Sequence, residues 1–285
     1  MQPPYLKITK FSAFLIILYG VMCLSGWIFD LTLLKSISPG LISIKVNTAI
    51  VFIIEGVLLL LSLEQLKPSG IKNIKFAFWF LLSLVVLISS LSLFEYLLGK
   101  NFGIDQFLFR NLDKNTLFPG RMAPNTAVLF LLSSLSILLL SPSWQSDRNP
   151  VIAAVISLVL VIACLFSIAD YPEPGMGNVL GNFNPMAYPT AFAFIILSMG
   201  IFALSMNSSN ISWSLKRGIT IGFIIGLALI IGMSLFSNSS TMSLRKSYIS
   251  VVHTDDVRFH INELQSDLED VELNRQNYLL FGNAK

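Results

Sequence analysis

The sequence predicts an all-α membrane protein: seven transmembrane helices arranged as three helical hairpins plus one, followed by a long extracytoplasmic amphipathic helix. Three observations predict it. Hydrophobic residues make up 54% of the 285 residues and charged residues only 12%, about half the charge of an ordinary globular protein. The apolar residues gather in runs near the ~20 residues a helix needs to cross a bilayer core. A short motif also recurs at the start of alternate runs. A water-soluble fold has too little interior to hide so much apolar surface, so lipid is the solvent.

The first run, Phe11–Phe29, is too long for a cleaved signal peptide and lacks a small-residue cleavage site. A retained first helix is therefore expected. The next six are Ile44–Leu63, Phe76–Leu97, Met122–Leu140, Val151–Ala169, Met186–Met206 and Gly218–Phe236. Orientation follows the basic residues. With the N-terminus in the cytoplasm, the inner segments carry Lys7, Lys10, Lys67, Lys72, Lys75, Arg148, Lys216 and Arg217. The longer outer loops carry Lys35, Lys45, Lys100, Arg110, Lys114 and Arg121, and the third of them has no base. This bias puts the tail, 237–285, outside the cytoplasm.

The even-numbered spans begin alike. Asn47-Thr48-Ala49 precedes Phe52 and Gly56, Asn125-Thr126-Ala127 precedes Phe130 and Ser134, and Pro189-Thr190-Ala191 precedes Phe194 and Ser198. Residues four apart share a helical face. Thr48, Gly56, Thr126, Ser134, Thr190 and Ser198 are thus expected to be helix-packing positions, where small side chains let backbones approach. Gly218, Gly222 and Gly226 form a second small-residue face on the seventh span, serving either the bundle or a dimer contact.

Glu55 is the one charged side chain near the middle of a span. Intramembrane carboxylates are expensive and face the bundle interior. Two readings stay open: a role in sensing or proton coupling, or a protonated acid bonded to a neighbouring helix. In the loop of 99–125, Asp105, Arg110 and Arg121 either line an outward-facing pocket or are solvated helix ends.

Several classes are excluded. No span contains histidine, which removes bis-histidine haem, and the seventh has no interior lysine for a retinal Schiff base. Nucleotide, zinc-protease and esterase motifs are missing. The net charge of +3 gives no footprint for nucleic acid, and Cys23 and Cys164 sit inside apolar runs. No catalytic residue, cofactor or metal site is expected, and the lipid bilayer is the evident partner.

The tail is richer in charge, and Val257, Ile261, Leu264, Leu268, Val271 and Tyr278 form one helical stripe, with Arg275 interrupting it. Its opening, Val251-Val252-His253-Thr254-Asp255-Asp256-Val257, resembles the start of a CHASE-type extracytoplasmic sensory domain of the third class. Asp270-Val271-Glu272, Arg275 and Tyr278-Leu279-Leu280-Phe281-Gly282 resemble that family's second signature, with the Gln-Arg pair reversed to Arg275-Gln276. His253, Thr254, Glu272, Arg275 and Tyr278 are the motif residues this resemblance implies. FGIDQFLFRN followed by PGRMAPNTA resembles multi-helix input regions of bacterial histidine kinases and cyclic-dinucleotide signalling proteins.

Together these resemblances imply a seven-helix membrane sensor region over 1–236 and the first helix of a sensory domain over 237–285. They imply a multi-pass protein of the bacterial inner membrane, a homodimer through the tail, and an output module beyond this segment. The expected function is sensory input for signal transduction, with no catalysis of its own. The rival expectation is a proton- or cation-coupled transporter or channel using Glu55.

Overall fold

A computed structural model describes residues 4–36, 42–65, 72–103, 120–144, 146–169 and 186–207, with Leu264, Leu268, Val271, Arg275 and Gly282. Every regular element among them is helical. They are α1 (Pro4–Ile28), the single turn α2 (Thr32–Lys35), α3 (Val46–Gln65), α4 (Lys72–Leu98), α5 (Pro124–Leu139), a short 3-10 turn (Pro142–Trp144), α6 (Asn149–Ala169) and α7 (Tyr188–Met206). Five of these, α1, α3, α4, α6 and α7, are long and apolar enough to cross a membrane. The chain is therefore a membrane-integral helical protein. The span expected at Gly218–Phe236 lies outside the described residues.

The sixth apolar helix, α5, has 16 residues, about 24 Å at 1.5 Å per residue. It starts later than the hydrophobic run because Pro124 takes the first helical turn, where its missing N–H costs nothing. Met122 and Ala123 precede it as buried, non-helical chain.

The chain divides into two compact units, Met1–Gly232 and Met233–Lys285. In the first, α3, α5 and α7 touch one another and form the centre. Each remaining long helix lies across two of them: α1 against α3 and α7, α4 against α3 and α5, and α6 against α5 and α7. The hairpins α1–α3, α4–α5 and α6–α7 are thus related by a pseudo-threefold axis. Burial agrees with that division. The hydrophobic windows of α3 and α7 are 67% and 72% buried, against 33%, 28% and 33% for α1, α4 and α6. The peripheral helices turn Phe11, Phe14, Phe76, Phe80, Phe94 and Phe166 outward, as a lipid-facing surface requires.

The tightest seam joins α1 to α3. A methyl group placed at Gly56 would stand 2.6 Å from Ile17 Cγ1 and 2.9 Å from the Ala13 carbonyl oxygen. One at Gly20 would stand 2.5 Å from Ile53 Cγ1 and 2.7 Å from the Ala49 oxygen. Each glycine thus seats the backbone of the opposite helix, the arrangement by which helices associate in lipid. Gly56 faces Ile17 and Ala13 of α1, the partner helix of its own hairpin. Across the α1–α7 seam, Thr9 Oγ1 lies within hydrogen-bond distance of the carbonyl oxygens of Tyr5 and Gly200, at 3.1 Å and 3.2 Å.

Several serines in these helices satisfy themselves. Ser62, Ser136, Ser157 and Ser205 donate to carbonyl oxygens three or four residues earlier, which spares them a partner in hydrocarbon. In the second unit, Leu264, Leu268, Val271 and Arg275 are helical, and the three apolar ones are 63%, 69% and 63% exposed.

Gly56→Ala forces a backbone seam apart and is expected to cost about 1–3 kcal/mol of stability. The test is the thermal unfolding midpoint of the purified protein in detergent. An unchanged midpoint would show that the seam is not tight.

Candidate functional site

The three copies of the repeat converge on the axis. Phe52 of α3, Phe130 of α5 and Phe194 of α7 are each fully buried. Their ring centroids lie 4.8 Å (Phe52–Phe130), 4.8 Å (Phe52–Phe194) and 4.6 Å (Phe130–Phe194) apart, with the planes tilted 51–68°. Tilted, edge-directed contacts of this kind suit the ring quadrupoles and add about 0.5–1.5 kcal/mol per pair beyond burial. Tyr19 of α1 joins edge-on to Phe52 at 5.6 Å.

One turn further along is a polar layer. Glu55 is fully buried, roughly 14 Å along α3 from its start at the usual helical rise. Its Oε1 accepts hydrogen bonds from Ser133 Oγ at 2.8 Å and Ser134 Oγ at 2.9 Å. Ser133 has one proton to divide between that oxygen and the Phe130 carbonyl at 3.0 Å. Glu55 Oε2 has no hydrogen-bond partner among the described residues, and neither does Ser198 Oγ, the α7 counterpart of Ser134. The layer therefore holds an acid with one satisfied oxygen and one bare one, while aromatic rings close its axial side.

On the other side of the rings, α3, α5 and α7 all begin at a narrow recess. It is lined by Ile42–Lys45, Thr48, Arg121, Ala123, Thr126, Ala187 and Thr190. In register with the repeat, Lys45, Ala123 and Ala187 are equivalent, as are Thr48, Thr126 and Thr190. Lys45 is only 5% exposed and Arg121 only 1%. Arg121 Nε pairs with Glu95 Oε2 at 3.2 Å, its Nη2 donates to the Lys100 carbonyl oxygen at 3.2 Å, and its guanidinium stands 5.2 Å from the Tyr96 ring centre. Glu95, at the end of α4, is fully buried and also accepts from the Phe102 amide at 2.7 Å.

Local turns hold these groups in place. Gly99 ends α4 at φ +61° and Gly120 delivers Arg121 at φ +82°, the left-handed region that glycine reaches without strain. On the α3 side, Trp27 Nε1 donates to the Ile44 carbonyl oxygen at 3.0 Å, and the Ile44 amide donates to the Lys35 carbonyl oxygen at 2.9 Å. Lys35 Nζ stands 5.0 Å from the Trp27 ring centre and donates to Asp30 Oδ1 at 2.5 Å. That bond, with the ammonium charge, holds the exposed Asp30 carboxyl below the usual carboxylate range.

The residues singled out in the sequence fall into three groups. Glu55, Ser134 and Ser198 belong to the polar layer, and Gly56 packs against α1. Thr48, Thr126 and Thr190, expected as packing positions, line the recess, and so does Arg121. Asp105 and Arg110 lie outside the described residues, as do Gly218, Gly222, Gly226, His253, Thr254, Glu272 and Tyr278. Arg275 is helical.

Sequence reasoning missed Ser133 and the role of Lys45. Ser133 was legible only as half of a serine pair, and Lys45 only through the register that matches it to Ala123 and Ala187. No cluster of three or more His, Cys, Asp or Glu suited to a metal occurs among the described residues. Comparison with protein-family models, curated proteins and solved structures gives no match.

Glu55→Gln keeps an acceptor oxygen for Ser133 and Ser134 and is expected to change stability by less than about 1 kcal/mol. Glu55→Ala removes that acceptor and leaves a cavity, at a cost of about 2–4 kcal/mol. Unfolding midpoints of the two variants in detergent test this ordering. Equal losses would mean that the serine contacts carry no weight.

Proposed function

We propose that this chain is the membrane-integral sensory input region of a bacterial signal-transduction receptor of the histidine-kinase type. In this reading the N-terminus is cytoplasmic, while the recess and the tail are extracytoplasmic. A stimulus at the recess shifts the packing of α3, α5 and α7, and the tail carries that shift onward.

One observation carries the reading: the rings of Phe52, Phe130 and Phe194 close the axis between the recess and Glu55. A conduit needs a polar path from an intramembrane acid to a surface. A receptor needs a site at one end joined mechanically to helix packing, and a packed core switches between discrete arrangements rather than deforming smoothly. The rings supply that joint, because one displaced helix moves a ring that both of its neighbours touch. The exposed stripe of Leu264, Leu268 and Val271 suits pairing with the same helix of a second copy, and the family resemblance of the tail points the same way.

The test uses the full chain in liposomes. A pH-sensitive dye inside is expected to report no proton entry dependent on Glu55. In the same preparation, Phe130→Ala serves as a surrogate stimulus, and pulsed spin-label measurements at Leu268→Cys are expected to show a changed distance between copies. Proton entry abolished by Glu55→Gln would favour a transporter. Tail distances unmoved by Phe130→Ala would overturn the sensory reading.

A further inference from the structure

We infer that the crevice between α4 and the junction of α3 with α5 holds a file of water molecules that exchanges protons between Glu55 and the recess end of the bundle. This goes beyond the sensory reading and does not rest on it, since protons can reach a buried acid in a protein that signals nothing.

The buried face of α4 is apolar along one half and polar along the other. Its buried residues are Phe78, Leu82, Val85, Ser89, Ser92 and Glu95, a single stripe at spacings of four and three. Because α4 lies against α3 and α5, this stripe faces the junction at which Ser133 and Ser134 reach Glu55. The polar half, Ser89, Ser92 and Glu95, ends beside Arg121 at the recess. Depths match as well. Leu98 to Ser89, Val46 to Glu55 and Pro124 to Ser133 are each nine steps from the helix end nearest the recess. All three residues therefore lie about 14 Å along their helices from that end.

Ser62, Ser136, Ser157 and Ser205 spend their protons on their own helices. Ser89 Oγ and Ser92 Oγ do not: they make no hydrogen bond among the described residues, and neither does Glu55 Oε2. All three residues are fully buried. Unpaired polar groups are costly in hydrocarbon, and buried water is the usual partner where a protein supplies none. Ser89, Ser92 and Glu95 follow one another at about 4.5 Å along α4, a gap that one water closes with two ordinary hydrogen bonds. A proton taken up at the recess end passes from water to water, each oxygen gaining one O–H bond and giving up another. It ends as the O–H bond of Glu55 Oε2. Beyond Glu55 the stripe offers Val85, Leu82 and Phe78, so this path runs beside the phenyl rings and opens to one face. Loading an acid from one face moves no proton across the membrane.

Few other ionisable groups stand near Glu55 on the helices packed against α3. Described α5 carries none, α7 has Tyr188 at its recess end, and α1 brings Tyr19 against Phe52 and Cys23 one turn nearer the recess. Lys7, Lys10, Glu64 and Lys75 stand near the opposite ends of their helices.

The test is infrared spectroscopy of the full chain in dodecyl maltoside and acidic buffer, where the carboxylic carbonyl band missing from Glu55→Gln belongs to Glu55. On transfer to heavy water that band is expected to shift well before the core amides exchange, because solvent reaches the acid without opening the bundle. Ser89→Val combined with Ser92→Val removes both hydroxyls and fills their space, and should slow the shift about tenfold or more. Ser89→Thr combined with Ser92→Thr has the same bulk, keeps the hydroxyls and should stay close to the unsubstituted protein. Ser62→Val, on the far side of Glu55, should leave the rate unchanged. Unfolding midpoints establish that each variant is folded, and if the double valine variant is not, Ser89→Val and Ser92→Val decide singly. The assignment is overturned by the absence of a Glu55 carbonyl band, by a shift no faster than core amide exchange, or by folded valine variants that shift as fast as the threonine variant. None of these readouts involves the tail, so the sensory reading stands or falls separately.

Discussion

The contact of three phenyl rings on the bundle axis is the constraint from which the rest of the structure follows. In lipid, apolar side chains gain nothing by leaving solvent, so helices associate through close packing and polar bonds. Phe52, Phe130 and Phe194 are equivalent residues of three helices, and they can meet only if all three turn the same face inward. That single requirement sets the rotation of α3, α5 and α7. It thereby sends Thr48, Thr126 and Thr190 to one side of the rings, and Glu55, Ser134 and Ser198 to the other.

The peripheral helices answer a different demand. Each must cover the junction between two central helices while presenting an apolar surface to lipid. Gly20 and Gly56 let α1 approach α3 to backbone contact, and Gly200 lets α7 seat the Ser12 side chain of α1, whose Cβ would stand 2.9 Å from an added methyl. The polar layer depends on this coverage, because an acid in hydrocarbon persists only where neighbouring helices supply donors and exclude lipid. Ser133 and Ser134 meet one oxygen of Glu55, and the other oxygen has no hydrogen-bond partner among the described residues.

At the recess, local and global structure are hard to separate. The helix starts and the two glycine turns are short-range features, whereas the Arg121–Glu95 pair ties the end of α4 to the chain that enters α5. A buried ion pair adds little net stability once desolvation is counted. Its consequence here is positional: it orients Arg121 while Nη2 reaches the Lys100 carbonyl.

The sequence by itself determined the solvent, the all-helical class and the threefold repeat, and it placed the described apolar helices, although α1 begins at Pro4 and not at Phe11. Those features are local, since apolar run length and the 3.6-residue period depend only on neighbours along the chain. It also marked Glu55 and Arg121, because a charge in or beside hydrocarbon is conspicuous in any reading. Ser133 and Lys45 were not legible in this way. A serine in an apolar helix looks like any self-bonded serine, and a lysine before a helix looks like any loop base. Only the tertiary structure decided that the three repeat faces turn toward one another, that the threonines line a recess instead of a seam, and that two serines reach Glu55. Helical periodicity fixes which residues share a face; which neighbour that face meets is settled by packing among segments far apart in the chain.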